Sequence, residues 1–80
     1  MEKPEGNLDM LVTVNGVATN ISTVTTVATL VKQLELTGRL AVEINQRIIP
    51  RSEFDSHLLN NGDIIEIVHA IGGGQSTRNR

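Results

Sequence analysis

The chain has 80 residues, with 7 Lys and Arg against 9 Asp and Glu, one Phe, and no Cys, Trp or Tyr. That is material for one small domain with one core, and it excludes a large multi-domain enzyme, disulfides, thiolate metal sites and a cysteine nucleophile. A net charge of −2 with a single aromatic lacks the basic footprint and the stacking platform of a nucleic-acid binder. No apolar run approaches the roughly 20 residues of a membrane-spanning helix, and Met1 to Asn7 has no signal-peptide stretch, so the expected setting is cytoplasmic, with no membrane partner.

Residues 1–9 read as a flexible polar N-terminal arm, residues 10–71 as the folded body, and residues 72–80 as a flexible Gly-rich tail. Met10 to Val14 alternates and is β-branched. Asn15-Gly16 then supplies the pair favoured by a two-residue type I′ turn, so Val17 to Ile21 reads as the returning strand, at a sheet edge. From Thr25 the period changes: Val27, Leu30, Val31 and Leu34 form one apolar stripe, which predicts a helix over about Thr26 to Leu36. Thr25 or Thr26 is the expected N-cap, and Gly38 the expected left-handed exit.

Leu40, Val42 and Ile44 alternate with Ala41 and Glu43 as a half-buried strand ending at Asn45-Gln46. Arg47 to Ile49 is a short strand stopped by Pro50, which suits an edge. Phe54, Leu58 and Leu59 are expected to cover the end of the core from an irregular segment. After the turn cluster Asn60 to Asp63, Ile64 to Ile71 is nearly all apolar and reads as the central strand.

The order β-β-α-β-β-β, with one crossover helix, predicts an α+β, ubiquitin-like β-grasp with a mixed sheet of four to five strands. The helix should cover Val12, Val14, Val42, Ile44, Ile65 and Ile67. The other face should show Leu11, Thr13, Ala41, Glu43, Ile64, Glu66 and Val68. One helix leaves that face uncovered, so Leu11, Ile64, Glu66 and Val68 form a candidate docking patch, with apolar area giving affinity and the acids Glu43 and Glu66 giving orientation.

Catalysis by the chain itself is not expected. The acids fall on polar faces and turns with none evidently buried, His57 and His69 lack metal-ligand company, and Ser22, Ser52 and Ser56 lack a nucleophile-elbow context. No metal and no cofactor is expected. The informative feature is Gly72-Gly73-Gly74 directly after the last strand. It reads either as a loose linker or as a strip thin enough to thread into a narrow active-site channel. A phosphate loop fits poorly, since no helix follows and no Lys stands in the required place.

Met10 to Gly16, Val42 to Asn45 with Ile49 to Phe54, and Leu59-x-x-Gly62-Asp63-x-Ile65-Glu66-Ile67-Val68 before the glycines resemble the ThiS sulfur carriers of thiamine biosynthesis. The resemblance covers about Met10 to Gly74. It implies that a ThiF-like, E1-like adenylyltransferase activates a terminal glycine carboxylate, that sulfur arrives through a cysteine desulfurase relay, and that a ThiG-like thiazole synthase receives it. Residue by residue, Gly73 and Gly74 match the terminal pair, with Gly74 as the attachment point and Gly72 extending the strip. The chain departs from the pattern in carrying Gln75 to Arg80 beyond Gly74, which implies a processing protease. A sulfur carrier for molybdopterin or another pathway, and a ubiquitin-like interaction module, are the alternatives.

Overall fold

In the computed structural model, which describes residues 10–70, Met10–Val14 (β1) and Val17–Ile21 (β2) form the first hairpin. Its turn residues Asn15 and Gly16 have φ of 50° and 84°, the left-handed pair that a type I′ turn requires. The second hairpin joins Leu40–Ile44 (β3) to Arg47–Ile49 (β4) by the same device, but with Asn45 at 52° and Gln46 at 72°. Ile64–His69 (β5) is the last strand among the described residues. It is shorter than the predicted run to Ile71, since Ala70 already lies outside it; Ile71, the N-terminal arm and Gly72, Gly73 and Gly74 lie outside the described residues.

Between the hairpins, Val27–Gln33 forms the helix α1. Of the two candidate caps it is Thr26 that acts: its side-chain oxygen accepts from the Thr29 N–H at 3.2 Å. The helix is shorter than the sequence predicts. Glu35, at φ 60°, takes the left-handed position, and the Glu35 and Leu36 N–H groups donate to Lys32 and Val31 carbonyls at 3.0 and 3.1 Å. That pair of bonds is a Schellman motif closing three residues before Gly38, whose own φ of 90° serves the following loop. Val31 and Leu36, the apolar pair such a motif brings together, both pack against the core.

The sheet has five strands in the order β2-β1-β5-β3-β4. β1 and β5 are parallel, and the other neighbours are antiparallel. The chain leaves edge strand β2, passes through α1 and returns as β3, skipping the places of β1 and β5. This path carries the helix across the middle of one face, where Val27 and Leu30 are buried with Val12, Val14, Val42, Ile44, Ile65 and Ile67. The β-grasp and the predicted inner face are therefore both present.

The β4–β5 connection begins with a 3-10 turn at Arg51–Glu53 and runs under the start of the helix. Leu59 is fully in the core and Phe54 packs against it, but Leu58 is exposed, because its backbone bridges to Thr26 with the side chain outward. A further correction concerns the acids: Asp63, expected at the surface of a turn, is only 7% exposed. It is drawn in because its carboxylate ties that turn together.

Candidate functional site

The candidate site is built on β5, the strand that leads toward the glycines. β1 runs beside it only as far as Val14 and then turns away. The Asn15 side chain takes over as a substitute strand residue: Nδ2 donates to the Ile67 carbonyl at 2.9 Å, and Oδ1 accepts from the Ile67 N–H at 2.8 Å. Asn45 does the same on the other flank. Its N–H donates to the Ile64 carbonyl at 2.8 Å, and its Oδ1 accepts from the Ile64 N–H at 2.9 Å.

Asn45 Nδ2 also donates to Asp63 Oδ1 at 3.0 Å, while Asp63 Oδ2 accepts from the Asn60 N–H at 2.8 Å. Burial of this carboxylate is thus met by directed donors on both oxygens. At the far end, the Ala70 N–H still donates to the Arg39 carbonyl at 2.9 Å, and His69 Nε2 lies 3.0 Å from the Thr37 carbonyl. The strand is held along its whole length, which makes the body a rigid base for whatever follows it. Neither asparagine's bridging role is visible in the sequence, because each depends on which strand lies beside the turn.

The uncovered sheet face carries Leu11, Ile64 and Val68, all exposed, together with Glu66, Glu43 and Ala41, while Thr13 is half-buried. Sequence reasoning missed Ile48, which at 75% exposure is among the most open apolar residues. The alternation of β4 carried the signal: with Ile49 inward, Ile48 must point out. Ala41, Glu43, Ile48, Glu66 and Val68 line a shallow cleft of about 190 Å³ across β3, β4 and β5. Within it Glu43 and Glu66 are directly opposite in the strand register.

Little else on the body offers chemistry. Among the described residues no group of His, Cys, Asp or Glu is arranged to hold a metal ion. His57 and His69 lie on different elements, one before the short bridge to the helix and the other on β5. A second cleft, of about 300 Å³, runs past Arg47, Glu53, His57 and Asp63, but the Asp63 carboxylate there is engaged by Asn45 and Asn60. The helix N-terminus is not an open anion site either. The Val27 and Ala28 N–H groups donate to the His57 and Phe54 carbonyls at 3.0 and 2.9 Å, and Thr29 bonds its cap. No helix among the described residues is long and apolar enough to cross a membrane.

A β-grasp body whose central strand is followed in the sequence by a glycine strip can be compared with known proteins directly. The ThiS family model matches residues 12–74. The chain belongs to the ThiS family of ubiquitin-like sulfur carriers. The match to ThiS stops at Gly74, so Gln75 to Arg80 falls beyond it. A crystal structure of the thiamine biosynthesis protein ThiS from Geobacter metallireducens superposes with a TM-score of 0.72 at 29% identity, covering 81% of this chain and 100% of that one.

Two further relatives extend the ThiS comparison. A thiazole synthase from Paramagnetospirillum magneticum is 41% identical over 66 residues, which is 81% of this chain. The chain spans only 20% of that protein's length, so a ThiS-like segment there is joined to a much larger polypeptide. The uncharacterized protein ycf40 of Porphyra purpurea is 32% identical over 69 residues, covering 85% of this chain and 97% of that one.

Proposed function

We propose that the chain carries sulfur as a thiocarboxylate on Gly74 and delivers it for thiazole formation in thiamine biosynthesis. The observation that carries this reading is the coincidence of two limits: the ThiS match ends at Gly74, and the central strand, clamped on both flanks, ends only a few residues before it in the sequence. Gly72 and Gly73 have no side chains to obstruct a channel, so the terminal group can enter an enzyme while the folded body stays outside.

The chemistry asks little of the body. A carboxylate is a poor electrophile. A ThiF-like adenylyltransferase lets the Gly74 carboxylate attack the α-phosphate of ATP, releasing pyrophosphate and leaving an acyl adenylate. The outer sulfur of a persulfide supplied through a cysteine desulfurase relay attacks the carbonyl carbon and AMP departs, leaving an acyl disulfide; a thiol reductant then attacks the other sulfur of that S–S bond, forming a disulfide and releasing the thiocarboxylate. A ThiG-like thiazole synthase is the receiving enzyme, a partnership supported by the thiazole synthase that contains a similar segment.

In the sequence as it stands Gly74 is amide-linked to Gln75 and has no carboxylate to activate. Hydrolysis of that bond by a processing protease must come first. A chain stopped at Gly74 is expected to support ATP–pyrophosphate exchange with the adenylyltransferase, and the 80-residue chain is not. With sulfide added, intact mass should show one oxygen replaced by one sulfur on the shorter chain. Equal exchange by both chains, or no mass change on the shorter one, would overturn the reading.

A further inference from the structure

We propose that the cleft across β3, β4 and β5, where Glu43 and Glu66 face one another, receives a single arginine or lysine side chain of the thiazole synthase. This rests on the carrier reading above and adds the chemistry by which the receiving enzyme recognises the body.

The strand register makes the case. Glu43 and Glu66 are direct cross-strand partners, so their Cβ atoms stand about 4.5–5.5 Å apart, and like charges so placed destabilise a sheet. Their neighbours on the same face offer no relief. Ile48 is opposite Glu43 on β4, Val68 and Ala41 pair in the next row of that face, and Ile64 lies two residues before Glu66 on β5. All are neutral. Arg47, the cation nearest in the β4 sequence, pairs with Ile44 and so belongs to the alternate row. Among the described residues, the fold therefore holds two negative charges side by side with no cation at the adjoining register positions.

The walls of the cleft say which cation fits. Ile48, Val68 and Ala41 are apolar, and the space is about 190 Å³. A long side chain can lay its aliphatic stem on those walls and present its charged head to both carboxylates, whereas a small hydrated ion would waste the apolar surface. The place also matches the occupant. The cleft is on β5, whose far end leads toward Gly74, so an enzyme drawing in that terminus meets this face. A thiazole synthase in which a similar segment is covalently joined indicates which enzyme holds the body in reach.

The test measures binding of the full 80-residue chain to the thiazole synthase of the same organism by fluorescence anisotropy over a salt series. Glu43→Gln and Glu66→Gln are each expected to weaken binding about threefold, and the double variant about tenfold with a shallower salt dependence. The thermal midpoint of the double variant should be no lower than that of the parent, since a repulsion has been removed; this separates lost recognition from lost fold. Undiminished affinity and salt dependence in the double variant would overturn the assignment, as would absence of binding by the parent chain.

Two other occupants are read in the same series. Tighter binding by Arg78→Ala/Arg80→Ala, abolished when the two glutamates are also replaced, would put the chain's own tail in the cleft and overturn the proposal. Loss of pyrophosphate exchange with unchanged thiazole synthase binding would assign the cleft to the adenylyltransferase instead. Thiocarboxylate formation by a chain stopped at Gly74 and carrying both substitutions is expected to match that of its parent. Docking and carrier chemistry therefore stand or fall separately.

Discussion

Left-handed backbone at non-glycine positions shows how individual residues serve this fold. Asn15 and Asn45 adopt it readily, and each uses its side chain to continue the ladder to β5. Gln46 has no such compensation: its φ of 72° is required by the second hairpin turn, and it is exposed. Gln46→Gly is expected to stabilise the domain by about 0.5–1 kcal/mol, seen as a higher urea midpoint. An unchanged or lower midpoint would show that the turn is not strained there. The Asn15-Gly16 turn was legible because its residue types prefer that geometry. Glu35 and Gln46 were not, because neighbouring strands and the Schellman bonds impose on them a conformation their side chains do not favour.

At the scale of elements, the helix stripe was readable from spacing alone, since Val27, Leu30, Val31 and Leu34 must share a face at 3.6 residues per turn. Its end was not, because the apolar period continues to Leu36 while the backbone has already reversed at Glu35. Leu36 reaches the core from the reversal itself. The connection before β5 shows the same limit: Leu58 and Leu59 are identical in sequence terms, and the bridge to Thr26 decides which one is buried. Leu30→Ala removes a fully buried side chain at about 2–5 kcal/mol, comparable to all the stability a core of this size supplies. Far-UV circular dichroism at 25 °C should show a largely unfolded chain. Leu58→Ala, by contrast, should melt within about 0.5 kcal/mol of the parent. Similar losses from both would contradict the assigned core.

Among the described residues the fold is one α-helix laid on one face of one sheet, and this asymmetry leaves the opposite face open. A single helix cannot cover both faces, so the uncovered face was predictable in outline as the alternate residues of the central strands. Its acidic cleft was not, since the facing of Glu43 and Glu66 and the inclusion of Ile48 depend on register across strands far apart in sequence. Val68→Arg places a charge at the centre of the exposed face without touching the core. Thermal unfolding should shift by no more than about 0.5 kcal/mol, while binding of the chain to the thiazole synthase, read by fluorescence anisotropy, should weaken severalfold. Binding at the parent affinity would remove Val68 from the docking face.

The place of β5 between β1 and β3 also sets the order in which the domain can assemble. Until residues 64–69 arrive, the earlier chain consists of two hairpins that share no backbone pairing, and an isolated hairpin is marginal in water. The joining strand is the last to be made, and its bonds to Asn15 span 52 residues. Closing so long a loop precedes any reward from the central pairings, so folding is a late, cooperative event. During synthesis the inner edges of β1 and β3 are open at once, and both close only when β5 slides between them. A chain that has acquired its fold has therefore already put in place the strand that precedes the glycine strip in the sequence.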